Sequence, residues 1–226
     1  MTEEDEGSKR RAYGIDRTLA LSDGVFAFAI TLLVLDLFVP TLSANATSVD
    51  LWQGLSNEYV SFLNYLLSFL IAGIWWNAHH RNFEHIRASD TALRWLNLLF
   101  LLCIALLPFF TKILDQYIHL QLGVVLYAAD QTAAGLFLSL LWFYASRNHR
   151  LIDKNVTAKA IRFSLWRNAI APIFFVISMG ISFINPSIAS LSWYAMFPVF
   201  LIAYRLEKRS EKEKSKTKVL TRLASH

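Results

Sequence analysis

Long apolar runs separated by short polar segments organise this 226-residue chain. Six are evident: about Leu19–Val39, Tyr59–Asn77, Leu93–Leu114, Leu122–Ala145, Ala169–Phe183 with an extension back toward Phe163, and Ile188–Tyr204. A bilayer-spanning helix needs about 20 mostly apolar residues. These runs are too uniform for soluble amphipathic helices, which keep a polar face. A transmembrane barrel would show short alternating segments instead. The pattern therefore predicts an all-α integral membrane protein, a bundle of six transmembrane helices. Asp130 interrupts the fourth run and Pro198 the last, so those limits are the softest.

The polar segments between the runs are short. On one side lie Pro40–Gln53, the turn around Asp115–Gln121, and Asn185–Ser187. The expected division is an N-terminal segment over 1–14, a six-helix domain over 15–206 and a basic tail over 207–226. The first 18 residues are acidic and then basic, with no apolar h-region, so no cleavable signal peptide is expected. Composition agrees with a membrane protein. Hydrophobic residues make up 55% and charged residues 17%, against about 25% charged in soluble domains. Mean hydropathy is +0.38. The single cysteine, Cys103, forms neither an internal disulfide nor a cysteine metal site.

Charge sets the expected direction of insertion. All but one of the 22 Lys and Arg fall on the same side of the six runs. The exception is Lys112. By the positive-inside rule both termini are cytoplasmic. The net charge of +5 would suggest a nucleic-acid partner in a soluble chain. Here the basic residues read as topology determinants, and no nucleic acid is expected. The tail from Arg205 reads as a helix continuing the sixth span and touching anionic lipid head groups.

The chemistry concentrates at the head of the first run. Arg17, Ser22 and Asp23 precede Gly24-Val-Phe-Ala-Phe-Ala-Ile-Thr-Leu-Leu-Val-Leu-Asp36. Ionisable groups at membrane depth are costly and mark function or an interhelical pair. Asp23 also reads as a helix cap or packing partner. A second polar cluster, Asp130-Gln131-Thr132, lies inside the fourth run. His79-His80-Arg81-Asn82-Phe83-Glu84-His85 invites a metal reading, but the chain has only 6 His and no His-Glu-x-x-His box. Interhelical hydrogen bonding accounts for it better, and no metal or cofactor is expected. No nucleophile-elbow or phosphate-loop motif appears, so no enzyme class gains a foothold.

The segment Arg17-x-x-x-Leu21-Ser22-Asp23-Gly24 resembles the signature of the prokaryotic relatives of the lysosomal potassium channel transmembrane protein 175. That signature reads Arg-x-x-x-Phe-Ser-Asp at the head of the first helix. Ile74-Trp75-Trp76-Asn77-Ala78-His79-His80-Arg81 is similar to the Trp…His-His-Arg segment closing that family's second helix. The resemblance implies a homotetramer of six-helix subunits in a prokaryotic cell membrane. It implies a central pore lined by the first helix and permeant to potassium, and to other monovalent cations. It also implies that Arg17, Ser22 and Asp23 interlock with Trp76 and His80.

Carried over residue by residue, the pore constriction falls on Phe28, Leu32 and Leu35. Their i, i+4, i+7 spacing places them on one helical face, with Gly24 and Val39 extending the stripe. Thr31 and Asp36 are the polar candidates beside it: Thr31 as an oxygen for the ion or a bond to its own backbone, Asp36 as a cation attractor at the outer mouth or a simple interfacial acid. Two departures from the family pattern stand out. Leu21 replaces Phe, an apolar exchange that alters packing. Phe28 stands where relatives carry Ile or Leu, so four phenyl rings would make a tighter constriction with weak cation affinity. No Thr-Val-Gly-Tyr-Gly carbonyl filter is present. The expected function is a potassium-preferring cation channel. Competing readings are a proton-coupled secondary transporter using Asp130 or Asp36, and a non-conducting membrane scaffold.

Overall fold

The computed structural model describes residues 3–195, with side chains from Gly14 onward. Seven α-helices follow in order: α1 Glu3–Leu33, α2 Ser48–Asn57, α3 Tyr59–Phe83, α4 Thr91–Gln116, α5 Gln121–Ser146, α6 Ala158–Ser182 and α7 Pro186–Ser192. Five segments are long and apolar enough to cross a membrane: Gly14–Asp36, Tyr59–Phe83, Thr91–Gln116, Gln121–His149 and Ala158–Ser182. The sixth expected span, Ile188–Tyr204, begins in α7, and its larger part lies outside the described residues.

The first span differs from its expected limits. Helix α1 runs through position 14 without a break, tightens into a 3₁₀ turn at Val34–Asp36, and turns extended at Leu37. Pro40 disfavours helix in the residue before it, which fits an end short of Val39. Val39 therefore does not continue the helical stripe. Helix α3 runs past Asn77 to Phe83 because Ala78, His79, Asn82 and Phe83 are all buried against neighbours. The segment Pro40–Gln53, expected as a loop, delivers the start of α2. Thr47 and Asp50 form a reciprocal capping box there, an N-terminus signal present in the sequence.

Helix α1 packs against α3 and α4, α4 against α5, and α5 against α6, which also holds α7. Apolar burial gives little driving force between helices in lipid, so close packing and interhelical hydrogen bonds must supply it. Gly135 shows the close packing. A Cβ there would lie 2.7 Å from Pro172 Cδ and Cγ, so α5 meets the proline ring of α6 without a side chain between them. Pro108 and Pro172 both sit inside helices, which membrane helices tolerate when neighbours surround the break.

At the end bearing the basic loops, the α3–α4 and α5–α6 connections tie together. Arg87 N donates to Leu151 O at 2.7 Å, and Asp153 N donates to His85 O at 3.0 Å. Left-handed backbone at Asn148 (φ 53°) and His149 (φ 52°) turns the chain out of α5. Asp90 caps α4 through Leu93 N, accepts from the Tyr144 hydroxyl at 2.6 Å, and pairs with Arg150 at 3.4 Å.

Candidate functional site

Helix α1 has two distinct faces. Ile15, Thr18, Ser22, Phe26, Ala29 and Leu33 are buried, at helical spacing, against α3 and α4. Phe26 is 2% exposed and Leu33 1%. The opposite side carries Gly24, Phe28, Thr31 and Leu35, and all four are exposed. Phe28 is 66% exposed and Leu35 75%. Leu32 sits at the edge of this stripe, half-buried. A Cβ placed on Gly24 meets nothing within 4 Å. The Thr31 hydroxyl donates to Phe28 O at 2.9 Å and stays on the open face. A single subunit thus leaves the stripe of Phe28, Thr31 and Leu35 unfilled while packing the other side tightly.

Polar pairs fix that orientation. The Trp76 indole donates to the Asp23 carboxylate at 2.9 Å, joining α3 to α1. His80 stacks on the Trp76 ring, centroids 5.6 Å apart, and lies 3.7 Å from Glu84. Ser22 takes a different partner from the expected one. Its hydroxyl donates to Thr18 O at 2.9 Å and accepts from Asn97 Nδ2 of α4 at 3.1 Å. Asn97 Oδ1 in turn lies 2.8 Å from His79 Nε2. Asn97 therefore joins α1, α3 and α4 at one buried point. The His79 ring stacks between Phe83 and Phe100, at 4.4 and 5.5 Å. Arg17 is exposed and lines a cleft with Arg94, Leu21 and Leu98.

The far end of α1 is held by charge. Asp36, expected as a cation attractor at that mouth or a simple interfacial acid, is ion-paired: Lys112 Nζ of α4 donates to its Oδ1 at 3.2 Å. Asp115, one turn beyond Lys112, accepts from Asn64 Nδ2 at 2.9 Å. Deeper in the bundle, the Trp75 indole donates to Gln131 Oε1 at 2.8 Å, and Gln131 Nε2 donates to Asp130 at 2.8 Å. Asp130 is buried on α5, a helix that packs on α4 and α6, away from the open face of α1. Among the described residues no three His, Cys, Asp or Glu come together as a metal site.

Comparison with known proteins bears on this arrangement. A family model described as "Endosomal/lysosomal potassium channel TMEM175" matches residues 17–108, which hold α1 from Arg17 onward, α2, α3 and most of α4. A potassium channel of Streptomyces collinus is 35% identical over 173 residues, 75% of this chain and 82% of that relative. The chain belongs to the TMEM175 family. A potassium channel of a Chryseobacterium species is 31% identical, over 87% of this chain and 97% of its own length. A crystal structure of a lysosomal potassium-selective TMEM175 homolog from Chamaesiphon minutus superposes with a TM-score of 0.73. It is 27% identical and covers 84% of this chain and 98% of its own. In this TMEM175 chain the matched region carries the Asp23–Trp76 and Ser22–Asn97–His79 contacts. The chain is an integral membrane protein, with five spans among the described residues.

Asn97 is the residue that sequence reading missed. A lone asparagine inside an apolar run was its only signal, and such residues in membrane helices bond across helices.

Proposed function

We propose that this chain is the subunit of a homotetrameric, potassium-preferring cation channel whose pore is lined by α1. The carrying observation is the two-faced α1: one side fully packed, the other uncovered from Gly24 to Leu35. In a ring of four copies that open stripe faces the axis, and closed cyclic symmetry suits such an arrangement. The relatives named as potassium channels give the permeant ion. Orientation follows the basic loops, with both termini in the cytoplasm of a prokaryotic cell.

In this reading, Phe28, Leu32 and Leu35 form a hydrophobic constriction that gates by excluding water. The Phe28 rings narrow it and present weakly attractive π faces to a cation. Thr31 contributes an oxygen one residue from Leu32. Asp16 and Asp23, exposed toward the cytoplasmic mouth, raise the local cation concentration. The Asp23–Trp76 and Ser22–Asn97 bonds hold the helix in register and do not touch the ion.

One observation favours a second reading. Asp130 is buried with a neutral amide for its partner, which is the setting of a proton-relay acid. Both readings meet in one experiment: potassium and sodium flux into liposomes carrying the purified protein, beside Phe28→Ala and Asp130→Asn. Passive flux that favours potassium, changes with Phe28→Ala and survives Asp130→Asn supports the channel. Flux that needs a proton gradient and vanishes with Asp130→Asn overturns it in favour of a transporter.

A further inference from the structure

Lys112 is anomalous in both sequence and structure. It alone among the 22 Lys and Arg falls on the side opposite the basic loops in the six-run reading. The structure then places its ammonium on the carboxylate that closes α1, 3.2 Å from Asp36 Oδ1. Asp36 is the residue next to Leu35, the most exposed position of the open stripe. The Lys112 side chain is 56% exposed and that of Asp36 24%, so the pair sits at the water boundary. A small recess beside it brings Asn64, Thr111 and Asp115 next to the pair, with Leu33, Leu37 and Tyr65 as its apolar walls. Asp115 is already held by Asn64. Asp36 is held by the Lys112 ammonium.

We infer that Lys112 is a conductance-determining residue: a tethered cation that occupies Asp36 and lowers the attraction of the outer mouth for potassium. The inference rests on the α1-lined pore of the proposed function. The physical argument is direct. Four unpaired carboxylates beside the mouth would raise local cation concentration, and four paired ones largely cancel at a distance. The interaction is through solvent, so it depends on ionic strength. The Debye length is about 30 Å at 0.01 M salt and about 3 Å at 1 M. Removing the ammonium therefore changes conductance at low salt and leaves it nearly unchanged at high salt. A purely structural strut would shift stability without this salt signature.

The test is single-channel recording in planar bilayers at 0.01 M and 1 M potassium chloride. Wild type is compared with Lys112→Met, Lys112→Arg, Asp36→Asn and the double variant Lys112→Met/Asp36→Asn. Methionine keeps the aliphatic stem and arginine keeps the charge. The expected result is a rise of at least about twofold for Lys112→Met at 0.01 M. At 1 M no rise is expected, and Lys112→Arg behaves as wild type. Asp36→Asn falls below wild type at 0.01 M because the Lys112 ammonium is left uncompensated, and the double variant, which carries neither charge, stays near wild type. An unchanged low-salt conductance in Lys112→Met overturns the inference, as does a double variant that rises above wild type as far as Lys112→Met does. Failure of the pore reading itself looks different: wild type carries no potassium current, or Phe28→Ala leaves the current untouched.

Discussion

The Trp76 indole nitrogen sits 2.9 Å from Asp23 Oδ1 and locks the basic end of α3 to α1. Both residues are exposed in the single chain, so water competes for the bond. Trp76→Phe keeps an aromatic ring beside His80 and removes the donor, together with part of the ring contact. The expected loss is about 0.5–1 kcal/mol, the usual worth of a side-chain hydrogen bond between membrane helices. Thermal unfolding in detergent, followed by loss of the monodisperse peak, measures it. A loss beyond that of Asn97→Ala would show that this bond, and not the buried one, dominates.

Asn97 has more at stake. It donates to Ser22 and faces His79 from a fully buried position. Asn97→Ala strands the His79 ring nitrogen on α3 and removes the donor to Ser22 on α1, whose hydroxyl keeps its bond to Thr18 O. The expected cost is about 2 kcal/mol or more, because a buried group left unsatisfied costs its full desolvation. The Ser22→Ala change removes one end only and costs less. Comparing the two variants in the same unfolding assay separates the cost of the bond from that of the orphaned imidazole.

Gly135 tests helix packing without polar chemistry. Its Cβ would lie 2.7 Å from the ring of Pro172, and that ring is part of the α6 backbone. Gly135→Ala therefore pushes α5 and α6 apart, at an expected cost of about 1–3 kcal/mol. Gly24→Ala adds the same methyl group into open space and is expected to leave the subunit's stability unchanged. Parallel melts of the two variants check both statements.

Acid stability turns on Asp90. Burial raises its pKa, but the Tyr144 hydroxyl, the Leu93 amide, Arg150 and Arg94 outweigh that and hold it below the usual carboxylate range. A depressed folded-state pKa contributes stability that is fully present above the unfolded value, about 3.9, and is lost as pH falls through the folded value. The midpoint of thermal unfolding should therefore be insensitive to Asp90 between pH 5 and 7 and fall below about pH 4. Asp90→Asn should flatten that acid limb while lowering stability at neutral pH, where the Arg150 pairing is lost. An acid limb identical in the two proteins would show that other carboxylates set it.

The membrane class was legible because lipid leaves little choice: long apolar runs and one-sided basic loops have few other meanings. The stripe on α1 was legible through the family resemblance, and helical spacing then placed Phe28 and Leu35 on one face. Partners were harder. Asp23 with Trp76 is a pairing across 53 positions, visible in advance only through the family resemblance. Ser22 turned to Asn97 because α4, and not α3, covers that face of α1, and helix packing order is not written in hydropathy. Asp36 read as a cation attractor or an interfacial acid, and its pairing with Lys112, 76 positions away in a run judged by its apolar residues, was not visible. The end of α1 moved inward because a 3₁₀ turn at Val34–Asp36 is a local backbone choice that apolar composition does not mark.

The central claim is that the exposed stripe of α1 lines the conducting path, and thiol labelling tests it most directly. Cys103 is buried and is the only cysteine, so Cys103→Ser gives a clean background. Leu35→Cys is placed on the stripe, and Ile173→Cys on the exposed side of α6 serves as control. The account predicts that a cationic methanethiosulfonate reagent abolishes most potassium flux through Leu35→Cys liposomes. The same reagent should modify Ile173→Cys without effect on flux. Full modification of Leu35→Cys with unchanged flux would contradict the account.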